Sequence, residues 1–240
     1  MASRSQRRKQ RIKESAQVPA TVEAPSFALP CALMFIGVFL LYAGSYHFPL
    51  VFDDRFINRV QLPEMTAACA TLKDRCLPYT TFGLTYLAAG LDLFWFRIGN
   101  VLLHALGVLA CFLFLDRLFD AARPHSPESV DESTPARHRP LAFCGAALFA
   151  IHPVTVYGVA YLAQRSIVMA TLFSLLALTA FVRALTENCR RWLWLSVLLY
   201  VAALFSKEHA IMLPAVALAI AVLLGKQSTH EYAFGVPTST

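Results

Sequence analysis

Apolar residues lie along this chain in uncharged blocks, not in the two-residue alternation of a half-buried strand or the single stripe of a soluble helix. The blocks cover residues 27–46, 98–115, 141–162, 166–182, 192–205 and 210–224, with charged clusters between them. The first is 20 residues long, which as a helix reaches about 30 Å, the depth of a hydrocarbon core. The pattern predicts an all-α, polytopic membrane bundle of about six transmembrane helices. Trp192 and Trp194 at the start of the fifth block suit an interfacial belt. Pro214 in the sixth is tolerated where neighbouring helices resatisfy the backbone.

A basic segment precedes the first block, as in a signal peptide. The block exceeds the about 7–15 residues of a signal's apolar core, and no small-x-small site follows before His47, so it reads as a retained anchor. Counting Lys and Arg on alternate sides gives 14 with the N-terminus inside against 7 outside, which predicts a cytoplasmic N-terminus. The chain then divides into a basic cytoplasmic tail (1–26), a membrane domain (27–224) with a long outer loop (47–97) and a cytoplasmic linker (120–140), and a C-terminal tail (225–240). A bacterial inner membrane is the expected setting, ahead of endoplasmic reticulum.

Composition agrees: 57% of residues are hydrophobic and 15% charged, and mean hydropathy is +0.54, outside the range of soluble domains. The net charge of +6 does not point to nucleic acid, because six of the 21 Lys and Arg fall within the first 13 residues, beside the first block. The linker is rich in Pro, Ser and charge and reads as flexible. The outer loop is too aromatic for that; Tyr79, Phe82 and Tyr86 fall at helical spacing, which fits either a helix on the membrane surface or one packed on the bundle. Cys31, Cys111 and Cys144 lie in blocks as small core residues. Cys69 and Cys76 share the outer loop, where they either pair or remain thiols.

Polar residues converge on the outer side: Asp53 and Asp54 after the first block, His152 in the third, Gln164 and Arg165 before the fourth, and Lys207, Glu208 and His209 between the last two. Ionisable groups at membrane depth are functional candidates. Each has a plainer reading: solvated loop acids, an arginine snorkelling to the interface, a hydrated connector. Asn100 and His104, one helical turn apart, suit bonds across helices.

The ordered motifs F-D-D (52–54), P-Y-T-T-F-G-L-T-Y (78–86), F-R-I-G-N-V-L-L-H-A-L (96–106), F-A-I-H-P-V-T-V-Y-G-V-A-Y-L-A-Q-R-S (149–166) and S-K-E-H-A-I-M-L-P (206–214) resemble the N-terminal membrane region of the transmembrane and tetratricopeptide-repeat proteins. That family includes protein O-mannosyltransferases and bacterial homologues with the C-type glycosyltransferase fold. The resemblance implies transfer of a sugar from a polyprenyl-phosphate carrier to a protein or glycan acceptor on the outer face. It matches Asp53 or Asp54 to an essential acid, either a general base toward the acceptor hydroxyl or a ligand of a divalent cation. It also puts Arg165 and Lys207 where cations hold the carrier phosphate, with His152, Gln164 and Glu208 beside them and Asn100 and His104 in support.

Those residue types suit that chemistry. Guanidinium and ammonium groups stabilise the charge that develops on a leaving phosphate, and a carboxylate accepts the hydroxyl proton. Members of the family usually carry more spans followed by tetratricopeptide repeats, and no such repeat is present here, so a fragment, a truncated gene product or a short paralogue is expected. The alternative function is a non-catalytic membrane module that binds a lipid carrier or partner protein. A transporter would need ionisable groups near the midplane, where the sequence offers only His104.

Overall fold

The computed structural model describes residues 28–50, 52–123 and 138–233. The 1–26 tail, most of the 120–140 linker and the chain beyond Ala233 lie outside the described residues. Among those described, the chain forms α1 (Ala28–Leu41), α2 (Gln61–Met65), α3 (Cys76–Ala89), α4 (Leu93–Ala121), α5 (His138–Ile151), α6 (Pro153–Ala160), α7 (Arg165–Thr186), α8 (Arg190–Ser206) and α9 (Leu213–Ala233). Short 3-10 turns sit at Ala43–Ser45, Phe52–Phe56, Leu162–Gln164 and Glu208–Met212. The molecule is a helical membrane bundle.

Four stretches are long and apolar enough to cross a membrane: Ala28–Ser45, Leu93–Ala121, Leu162–Thr186 and Glu208–Gly225. A fifth is added if α5 and α6, bent by 59° at their junction, count together. The remaining difference from the six blocks is α8, at 17 residues. The bend has a local cause. Pro153 has no amide proton and pushes the preceding residue out of helical conformation, so His152 takes φ −64° and ψ 130° and becomes the cap of a new helix. Pro214 breaks nothing, because it is the second residue of α9, where an amide has no intrahelical partner to lose.

The long α4 is the central post. Its Val101, Ala105, Val108 and Phe112 pack against Met34, Val38 and Tyr42 of α1 and Ala142, Ala146 and Ala150 of α5. Small residues let α5 approach closely; a Cβ on Gly145 would lie 2.6 Å from the Leu115 side chain. The turn between α7 and α8 reverses the chain through Asn188, at φ 46°. Leu178 and Val182 of α7 meet Ile220 of α9. Exposed leucines such as Leu33, Leu40, Leu198 and Leu218 face outward, as lipid-bathed helices require.

One end of the bundle gathers the end of α1, the starts of α4 and α7, and the end of α8. Tyr46 meets Phe94 there edge-on at 5.8 Å, and α3 closes over it. Phe82 of α3 is 1% exposed, stacks on Phe96 at 6.0 Å and meets Phe56 at 5.3 Å. Leu84 and Leu87 on its other side stay exposed. The helix thus packs on the bundle and still presents an apolar face away from it. Gly83 makes the fit tight: a Cβ there would lie 2.5 Å from the Thr66 amide nitrogen.

Candidate functional site

Two arginines lie inside this end of the bundle. Arg165, the first residue of α7, is 1% exposed. Its Nε donates to Asn100 Oδ1 at 2.7 Å, and its terminal nitrogens donate to the Phe96 carbonyl at 2.7 Å and to Thr81 Oγ1 at 3.2 Å. The guanidinium also lies 3.9 Å from the centre of the Phe82 ring, a cation–π contact. Asn100 completes the bridge by donating to the Val159 carbonyl at 3.2 Å. All three guanidinium nitrogens therefore have partners, and the residue ties α3, α4 and α7 together.

Arg97 performs a similar task one turn closer to the α4 start. It is 2% exposed and donates to the carbonyls of Ala160 (2.7 Å), Phe48 (2.7 Å) and Pro49 (2.9 Å). It feels the charge of Asp54, which is fully buried. The Asp54 carboxylate accepts from the Ala163 amide at 2.7 Å, so the Phe52–Phe56 turn is pinned to the Leu162–Gln164 turn. Asp53 stands beside it on the same turn; its side chain lies outside the described residues.

The third member is the connector from α8 to α9. Lys207 Nζ reaches Gln164 Oε1 at 3.4 Å, and Gln164 Nε2 donates to Tyr157 Oη at 2.8 Å. Glu208 takes a bidentate bond from Arg75, at 3.1 Å from Nε and 2.6 Å from a terminal nitrogen. Partial burial pushes the Lys207 ammonium down, helped by the nearby Arg75 charge and opposed by Glu208; the Glu208 hydrogen bond holds Arg75 more firmly charged. A cavity of about 690 Å³ opens beside them, lined by Lys73, Asp74, Arg75, Tyr79, Phe205 and Glu208 among others. That volume lies within the range of small-molecule sites.

The expected residues thus separate. Asp54, Gln164, Arg165, Lys207 and Glu208 share one end, and Asn100 supports Arg165 there. His152 stands apart: it is exposed, its Nδ1 accepts from the Val154 amide at 3.2 Å, and the eight residues of α6 put about 12 Å between it and the next turn. His104 is buried deeper, with Nε2 3.3 Å from the Ala150 carbonyl. Arg75, Arg97 and Thr81 join the site; Arg97 and Thr81 lie in the motifs at 96–106 and 78–86, whereas Arg75 entered only the count of outside charges. Arg97 was detectable as a charge adjoining a long apolar block; nothing local marks Arg75, whose partner is 133 positions away.

The Asp54 carboxylate accepts the Ala163 amide and lies close enough to Arg97 for the two charges to interact. Among the described residues no group of three or more His, Cys, Asp and Glu is placed to hold a metal.

The chain is 32% identical over 115 residues to the protein O-mannosyl-transferase TMTC1 of Homo sapiens, covering 48% of this chain and 11% of that protein. It is 33% identical to the Mus musculus protein of the same name over 48% of this chain and 10% of that one. It is 27% identical to the protein O-mannosyl-transferase F38B6.6 of Caenorhabditis elegans over 63% of this chain and 19% of the relative. The chain thus spans between a tenth and a fifth of the length of these relatives. No family model matches it. No solved structure matches it either.

Proposed function

We propose that this chain belongs to a membrane glycosyltransferase that moves a sugar from a polyprenyl-phosphate carrier to a protein hydroxyl, on the face opposite the basic N-terminal segment. The observation that carries this reading is the meeting of three distant segments at one end of the bundle: Asp54 on the Ala163 amide at 2.7 Å and Lys207 on Gln164 at 3.4 Å. Similarity to proteins named O-mannosyl-transferases supports the reaction class.

The work divides by burial. Asp54 is the anchor, and Asp53, held beside it on the same short turn, is the general base. Asp53 takes the proton of the acceptor hydroxyl as the hydroxyl oxygen attacks the anomeric carbon. The bond from that carbon to the phosphate oxygen breaks, and its electron pair stays on the phosphate. Lys207, whose ammonium reaches Gln164 at 3.4 Å, balances the charge that develops there. Arg165 is left out of this step. Its nitrogens are engaged by Asn100, Phe96 and Thr81, and it sets the spacing of α4 and α7 so that the turns meet.

Membranes carrying the chain and supplied with radiolabelled polyprenyl-phosphate mannose are expected to label protein. Lys207→Gln should lower that labelling with equal amounts of chain in the membrane. Labelling at the parental rate would remove Lys207 from the mechanism.

A further inference from the structure

The segment from α2 to α3 brings two cysteines together. Cys69 Sγ lies 2.9 Å from Cys76 Sγ. The approach is built by the fold: Gly83 admits the Thr66 backbone against α3, Ala68 is 1% exposed beneath it, and the Cys69 amide donates to Thr80 Oγ1 at 3.3 Å. Between the cysteines the chain turns tightly, with the Lys73 amide on the Ala68 carbonyl at 3.1 Å. Leu72 and Arg75 sit at φ 48° and 56°, a region that side chains rarely adopt and that the surroundings must enforce. The residues so enclosed, Lys73, Asp74 and Arg75, form one wall of the 690 Å³ cavity, and Arg75 holds Glu208 across it.

We propose that Cys69 and Cys76 join as a disulfide, closing residues 69–76 into a ring that fixes this wall. The bond forms by exchange with a small-molecule or protein disulfide on the face of the bundle that α3 covers. Cys69 is half-buried and Cys76 only 4% exposed, so Cys69 starts the exchange. Its thiolate attacks the incoming disulfide and releases one thiol; Cys76 then loses its proton, displaces the second thiol from Cys69 and completes the ring. The two cysteines give up two electrons, which the oxidant gains as two thiols, and the two cysteine protons end on those thiols. Burial and the adjacent Cys69 push the Cys76 thiol up to about 11, which makes it the resolving partner and not the initial nucleophile at neutral pH.

The sequence supplies a clean assay, because trypsin cuts after Lys73 and Arg75 inside the ring. The full chain is isolated from membranes with free thiols alkylated at lysis and is digested without reductant. The expected product is Val60–Lys73 joined to Cys76–Arg97, lost on treatment with dithiothreitol. Both peptides recovered singly and alkylated, or either cysteine joined to another partner, would overturn the proposal. Limited trypsin on the detergent-solubilised full chain tests the fixed wall: Cys69→Ser should be cut at Lys73 and Arg75 several-fold faster than the parent. An equal rate would show that the ring does not hold that wall. Neither readout depends on sugar transfer, so failure here leaves the proposed reaction standing.

Discussion

Arg165 and Arg75 carry the same side chain at the same end of the molecule and stand in opposite physical situations. Arg165 is 1% exposed, bonded to Asn100, a carbonyl and a threonine, and covered by Phe82. Arg75 lies at the cavity wall, with its side chain 37% exposed and its partner Glu208 66% exposed. A charge that has left water depends on every bond it makes, whereas a charge still in contact with water exchanges one good partner for another. Burial, not residue type, therefore separates scaffold from candidate ligand, and Lys207 falls on the ligand side because its ammonium keeps only a long bond to Gln164.

The contrast breaks first at Arg165. Replacing it by Met leaves Asn100 and the Phe96 carbonyl without their donor and should cost about 1–3 kcal/mol for each buried acceptor so stranded. Thermal unfolding in detergent measures it, and an unchanged midpoint would return Arg165 to the ligand class. Next is Lys207→Gln, which should lower transfer about 100- to 1,000-fold, as loss of one charge-stabilising donor does elsewhere, while the unfolding midpoint stays close to the parent. The lowered Lys207 ammonium also predicts a pH dependence. Transfer should fall as pH rises through a value below the ordinary lysine range, because only the protonated form opposes phosphate charge; the fall should vanish in Lys207→Gln.

Gly83→Ala tests how α3 is seated. The added methyl meets the Thr66 backbone and should cost about 1–3 kcal/mol by overpacking, read as a lower unfolding midpoint. The smallest effect is expected at the rim. Arg75→Gln removes an exposed pair worth about 0–1 kcal/mol, so its midpoint should barely move, and a loss matching Arg165→Met would erase the distinction between the two arginines.

Much of this was legible in the chain. Uncharged blocks located the helices, and the clustering of Asp54, Gln164, Lys207 and Glu208 was readable from their positions at block ends. The break at His152 was not drawn from the third block, although Pro153 carries its cause: hydropathy ignores the missing amide that starts a new helix. Arg97 was placed in the loop because a charge ends a hydropathy block, yet three carbonyls let the guanidinium enter α4. The resemblance matched Arg165 to a phosphate-holding cation, and its acceptors were not visible beside it in the chain, because Asn100, Phe96 and Thr81 come from two other helices. The Arg75–Glu208 pair depends on how α3 folds back over the α8–α9 connector, and no local pattern encodes that.

Replacing Asp53 alone separates the roles proposed for the two adjacent acids. Membranes carrying Asp53→Asn, compared with parental membranes at equal chain levels and equal unfolding midpoints, should transfer radiolabelled mannose from polyprenyl phosphate about 100- to 10,000-fold more slowly, the range for loss of a general base. Transfer by Asp53→Asn at the parental rate would remove Asp53 from the role of general base.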